Sequence, residues 1–228
     1  MPYFAIIITL KLKKYTFLFR SDQFDRKARV QMATQVIDIK CPNCGASVAA
    51  NQESCEWCHS PVYITSFNSI SNMNMLQANK YVSSYRKELA GDPDSTSLNT
   101  SIAFCYLKLK MYDEAYKAFS KAIVDNFDNS ETYFYAAVSL LQGKKAFLHT
   151  RPEIDKMIEL INAAIMIESR GAYYYFLAYL KHDYFKRKFL NTTPDYKECI
   201  RQAQLHGCSK GDIDHFYEVA GVEPVNMV

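Results

Sequence analysis

The sequence predicts a mostly α chain with a small cysteine-rich module ahead of the helices. Three observations carry that expectation. Only 7 Gly and 7 Pro stand among 228 residues, too few for a turn-rich sandwich of short strands or for a low-complexity linker. From Met75 onward, apolar residues recur at the three- and four-residue spacings of helices with one buried face. Four of the seven cysteines fall in two C-x-x-C pairs between Cys41 and Cys58. The 17 Tyr and 14 Phe supply large apolar area and argue against disorder.

The chain length suits one ordinary domain with a small appendage. Its net charge of +3 is too small to imply nucleic acid by itself, and it is unevenly placed. Residues 1–31 carry seven Lys/Arg and two Asp, whereas the remainder holds 20 positive and 22 negative side chains. This basic leader is β-prone from Phe4 to Phe19 and has no turn or partner strand, so an isolated strand there would be marginal. It reads as an added strand, as a basic arm touching membrane or RNA, or, the reading favoured here, as an extension ahead of a native start at Met32. No segment approaches the about 18 apolar residues of a membrane span. The lysines follow the apolar stretch Tyr3 to Leu10, the reverse of a secretory signal. Seven cysteines, four of them in metal-ligand spacing, fit a reducing compartment, and the expected location is the cytoplasm.

The first element is the cysteine module, residues 37–64. Two residues between cysteines let one tight turn present both sulfurs to a single metal. Gly45, just after Cys44, can take the left-handed backbone that such a turn needs. Ten residues then separate Cys44 from Cys55, enough for a hairpin that returns the second pair. Four thiolates at about 2.3 Å around Zn²⁺ make a closed, structural site with no position for water. Iron in a rubredoxin-like site is the minority option, since thiolates alone do not separate the two metals. Cys55-x-x-Cys58-His59 also has haem-attachment spacing, but that reading leaves Cys41 and Cys44 unexplained. The doubled motif likewise disfavours a dithiol redox pair. The spacing resembles the zinc ribbon family, whose short forms are built on two C-P-x-C-G-like knuckles. Cys41-Pro42-Asn43-Cys44-Gly45 matches that pattern, and the second knuckle departs from it with His59 in place of Gly. The metal is expected to supply the module's folding free energy; Trp57 reads as shielding the sulfurs, the favoured role, or as touching a partner.

Residues 65–74 form an uncharged Ser/Asn-rich stretch, expected to be a flexible joint. Helical spacing begins at Met75, through Leu76, Tyr81, Tyr85 and Leu89, and stops at Gly91-Asp92-Pro93. Next, Ile102, Ala103 and Tyr106 share one face of a helix. Lys110 to Asp113 make a turn, and Ala115, Phe119 and Ala122 face inward from a second helix. This pattern resembles the tetratricopeptide repeat, a helix pair of about 34 residues. Small Ala103 and Ala115 let the helices approach; Tyr106 and Phe119 fill the space between repeats. One repeat further on, Ala103 maps to Ala137, and one repeat back, Phe119 maps to Tyr85. Residues 75–190 therefore read as a tetratricopeptide-like α-solenoid, with an insertion at 144–151. A capping box at Thr150–Glu153 opens helix 152–168, and an atypical third unit begins at Gly171. Residues 191–228 read as a C-terminal helical cap: a helix from Thr193-Pro194 to about His206, then a short one from Ser209 to Ala220 stopped by Gly221.

The resemblance implies a concave groove lined by the first helix of each pair. The residues that would line it are Phe104, Leu107 and Lys108, then Phe134, Val138 and Leu141, then Tyr173, Phe176 and Leu180. Such a groove suits a protein or peptide with hydrophobic anchors. Thr100 and Phe104 stand where some relatives clamp a terminal carboxylate with Lys and Asn, so that mode has no support. The alternative has the C-terminal helices folded back into the groove. The segment 173–189 is dense in aromatics and ends in Lys186-Arg187-Lys188, a composition that also suits stacking of single-stranded RNA. A helix-turn-helix reading of the last two helices fails on sign, with Asp212, Asp214 and Glu218 on the would-be recognition helix. No grouping of nucleophile, His and carboxylate and no Gly-rich phosphate loop is evident. The expected function is a non-enzymatic adaptor that binds a protein partner, with the zinc ribbon as a second contact module. The rival is a nucleic-acid-binding factor using the ribbon and residues 173–189.

Overall fold

Side-chain caps start five of the nine α-helices among the described residues, and they explain where sequence and structure agree. The computed structural model describes residues 38–49 and 51–227; the leader expectations, on residues 1–31, lie outside them. Two short antiparallel strands, β1 (Asp38–Lys40) and β2 (Ser47–Ala49), pair with Ile39 opposite Val48. Nine α-helices follow among the described residues: α1 (Asn68–Ser71), α2 (Met75–Leu89), α3 (Thr96–Lys108), α4 (Tyr112–Asp125), α5 (Ser130–Ser139), α6 (Arg151–Ile167), α7 (Gly171–Leu180), α8 (Tyr196–Leu205) and α9 (Lys210–Ala220). A 3-10 turn at Ala146–Leu148 precedes α6, and a π-helical turn at Lys181–Lys186 prolongs α7.

Asn74 caps α2 in a reciprocal box with Gln77. Thr150 and Glu153 do the same for α6 and Ser209 and Asp212 for α9, satisfying backbone donors that the first turn leaves open. Gly221, at φ 66°, ends α9 in the left-handed conformation. Helix α8 starts two residues later than its Pro194 suggested, because the Asp195 side chain takes the Glu198 N–H at 2.9 Å.

Each helix from α2 to α7 packs on the next, a succession of neighbouring pairs that makes the body a mostly α, tetratricopeptide-like solenoid. Ala103 and Ala115 are fully buried where α3 and α4 approach, and the Phe104 and Phe119 rings meet edge to face at 5.2 Å. Every residue of α3 from Leu98 to Leu107 is buried, so this helix is covered on all sides.

Residues 65–74 are not a free joint. Ile64, Phe67 and Ile70 are buried in the main core, and α1 lies against α3. Backbone and side chains lock the path: Ser101 Oγ accepts the Ile64 N–H at 2.9 Å, and Lys108 Nζ donates to the Ser71 carbonyl at 2.5 Å. The cysteine module is docked too, with β1 against α2. Tyr81 and Tyr85 of α2 donate to the carbonyls of Pro61 and Val62, and Lys80 donates to that of Asn43. Residues Ile37–Val228 accordingly form one compact unit. The physical reason is area: a module with five buried hydrophobic residues of its own gains by covering the open face of α2.

Phe67→Ala is expected to destabilise the protein by about 3–5 kcal/mol, as for a buried Phe, in a denaturant or thermal melt. A change within about 0.5 kcal/mol, the range of exposed positions, would restore residues 65–74 as a loose joint.

Candidate functional site

Two matching knuckles build the cysteine cluster. In the first, the Gly45 N–H returns to the Cys41 carbonyl at 2.9 Å; in the second, the His59 N–H returns to that of Cys55 at 2.8 Å. Gly45 sits at φ 78° and His59 at φ 54°. The histidine therefore accepts the left-handed backbone for which the pattern prefers glycine, at some strain. All four sulfurs lie within 4.8 Å of one another, with Cys41–Cys58 at 3.6 Å and Cys44–Cys55 at 3.7 Å. A tetrahedron with metal–sulfur bonds of about 2.3 Å has edges of about 3.8 Å, so the residues fit a single tetrahedral metal. Both spacings are far beyond the about 2.05 Å of a disulfide, and all four cysteines are free. Burial pushes the Cys41 thiol up to about 12, whereas hydrogen bonding to Ser60 holds Cys58 down to about 6. Binding a metal at neutral pH would displace the remaining thiol protons.

Trp57 does not shield the sulfurs. It is 77% exposed, because the knuckle turns residue 57 outward while its neighbours Cys55 and Cys58 turn in. Ile39, Val48 and Val62 cover the buried ligands instead.

The expected groove is closed. Phe104, Leu107, Phe134, Val138, Leu141, Tyr173, Phe176 and Leu180 are all buried, and Lys108 is half-buried against α1. The expected open stripe is thus core, and two elements cover it. Helix α9 folds back onto α5 and α7, placing Phe216 at 5.0 Å from the Phe176 ring and 5.4 Å from Tyr179. From the other end, Phe67 stacks on Tyr135 at 5.8 Å and meets His215 of α9 at 5.2 Å. Tyr135 closes the seam through its hydroxyl, 3.1 Å from His215 Nε2. A row of aromatics this size is costly in water, and a short solenoid has its own flanking segments at hand to cover it. Sequence reasoning weighed the C-terminal half of this cover and missed the other half. The signal was Ile64, Phe67 and Ile70, apolar residues every third position in an otherwise polar stretch.

The aromatic platform of 173–189 is core for the same reason. Tyr173, Tyr175, Phe176, Tyr179, Tyr184 and Phe185 are buried, Tyr174 is half-buried and stacks on His206 at 4.8 Å, and Phe189 is exposed at the end. A cavity of about 460 Å³ with mixed polar and apolar walls remains where residues 53–69 meet the starts of α3 and α5, and Thr100 is among its lining residues.

No family model matches the sequence, and no curated protein is found similar to it. Among solved structures the chain is similar to one named "MamA MSR-1 C2", at 14% identity over 67% of this chain and 73% of that one, with a TM-score of 0.45. No helix among the described residues is long and apolar enough to cross a membrane.

Two outcomes test these sites. One equivalent of metal should copurify, and Cys41→Ser or Cys58→Ser should release it; because the module is docked on α2, chelation should also lower the melting temperature of the helical body. Phe134→Ala, in the middle of the covered row, should cost about 3–5 kcal/mol in a thermal melt. A small loss there would mean that the concave face opens in solution.

Proposed function

We propose that the protein is a non-enzymatic, cytoplasmic adaptor in which a tetratricopeptide-like helical scaffold carries a structural zinc ribbon, and that the ribbon is the contact surface for a protein partner. The supporting observation is Trp57. It is the sole tryptophan, it is 77% exposed, and it stands between two ligands on a turn that the metal would rigidify. Large aromatics presented without loss of side-chain freedom are the residues that dominate protein interfaces. Zn²⁺ is the metal that a closed set of four thiolates favours in a structural role, with Cys41, Cys44, Cys55 and Cys58 as its ligands. The free cysteines accord with a reducing compartment.

The groove residues act as core in this reading, so a partner engages the outside of the scaffold. Burial of Tyr173, Tyr175, Phe176, Tyr179, Tyr184 and Phe185 favours the adaptor over the nucleic-acid alternative.

The test is a comparison of wild type with Trp57→Ala by cross-linking and mass spectrometry. The variant should keep its metal equivalent and its melting temperature, since the ring is exposed, and lose the partner cross-linked through the ribbon. Identical partner sets and cross-link positions in the two proteins would overturn the ribbon as contact surface. A metal analysis returning iron would overturn the zinc assignment alone.

A further inference from the structure

Far along the chain from the ribbon, the π-helical turn after α7 ends in an unusual group of side chains. Lys186, Arg187, Lys188, Phe189 and Leu190 are consecutive. Phe189 is 95% exposed and sits at φ 57°, a left-handed conformation in which a bulky side chain is strained and glycine is the usual occupant. The turn itself is well made: the Leu190 N–H reaches the Phe185 carbonyl at 2.8 Å and the Phe189 N–H reaches that of Lys186 at 3.1 Å. Strain and an unburied aromatic thus coincide at one residue, and neither contributes to the fold.

The cations around it are laid out in order. Lys186 lies 4.7 Å over the Tyr196 ring, Lys188 lies 3.9 Å over Tyr184, and Arg187 lies 4.3 Å over Phe147. Buried Asp183 anchors the arrangement, accepting from the Phe147 N–H at 3.0 Å and from Arg187 at 2.8 Å. Among the described residues no carboxylate pairs with Lys186 or Lys188. Leu148, next to Phe147, is 68% exposed, and Leu190 is also exposed. The surface therefore combines one protruding aromatic, two aliphatic side chains and two ammonium groups without a carboxylate partner, Lys186 donating to the Tyr196 hydroxyl at 3.1 Å.

We propose that this tip is a docking surface for an anionic phospholipid membrane. Charge complementarity selects the occupant's sign. The aliphatic members select its kind: Leu148 and Leu190 have no stacking role on a nucleic acid but suit the boundary between headgroups and acyl chains. Lysines with apolar stems and charged heads match the same boundary. Each Lys near an anionic bilayer strengthens partitioning by about fivefold, so the contact is weak and salt-sensitive, and it is independent of Trp57.

The experiment is co-sedimentation of the full chain with vesicles of phosphatidylcholine, with and without phosphatidylserine, at two salt concentrations. Binding is expected only to the phosphatidylserine vesicles and should weaken with salt. Lys186→Glu combined with Lys188→Glu should reduce it by at least ~25-fold, about fivefold for each lysine lost. Phe189→Gly is the companion variant: it relieves the backbone, so its melting temperature should hold or rise while vesicle binding falls. Variants that bind like wild type would place the attraction elsewhere, for example on the basic residues 1–31, and overturn the proposal. Binding to a single-stranded RNA oligonucleotide but not to vesicles would also overturn it, in favour of a nucleic-acid surface.

Discussion

Covering the aromatic row on α3, α5 and α7 is the constraint on which most of the structure depends. Phe104, Tyr135, Phe134 and Phe176 form a continuous run of ring contacts at 5.0–5.9 Å. Helix pairs alone would leave that run facing water. Its burial draws in Phe67 from one side and Phe216 from the other, and the two meet through Tyr135 and His215. The segment leaving the cysteine module and the last helix thereby become parts of one core rather than appendages. A short stack of helices has a high proportion of end surface, which its flanking segments cover here.

The cysteine module is subject to a second version of the same limit. It has too little apolar area to fold on its own core, and four thiolates at tetrahedral spacing allow a metal to supply the missing free energy. Its outer surface still has to meet something, and α2 provides two tyrosine hydroxyls and a lysine to hold the backbone of Pro61, Val62 and Asn43. Metal binding at the four cysteines would consequently be coupled to helical packing through α2.

With the inside filled, what the molecule offers a partner is what it holds outside. Trp57 is held out by the geometry of a metal knuckle, and Phe189 by a helix end that tolerates a strained residue. Both are aromatic, both stand on turns fixed by backbone hydrogen bonds, and they belong to different ends of the sequence. The expected groove is closed, so the proposed contact surfaces lie elsewhere.

The sequence by itself determined the local features. Residue types at fixed spacings decide a C-x-x-C knuckle, a Thr150–Glu153 box or the stop at Gly221, because each is closed by contacts within a few residues. The helix pairs were legible too, since Ala103 and Ala115 mark a close approach and the apolar period marks a buried face. Tertiary structure alone decided which buried face meets which. Phe134 reads the same in sequence whether it lines an open groove or a packed core, for periodicity reports that a face is apolar and not what covers it. The Ser/Asn composition of 65–74 likewise hid Phe67 and Ile70, whose burial depends on partners more than thirty residues away. Trp57 was misread for the opposite reason: a tryptophan between two ligands has the chemistry of a shield, and only the turn of the backbone points it into solvent.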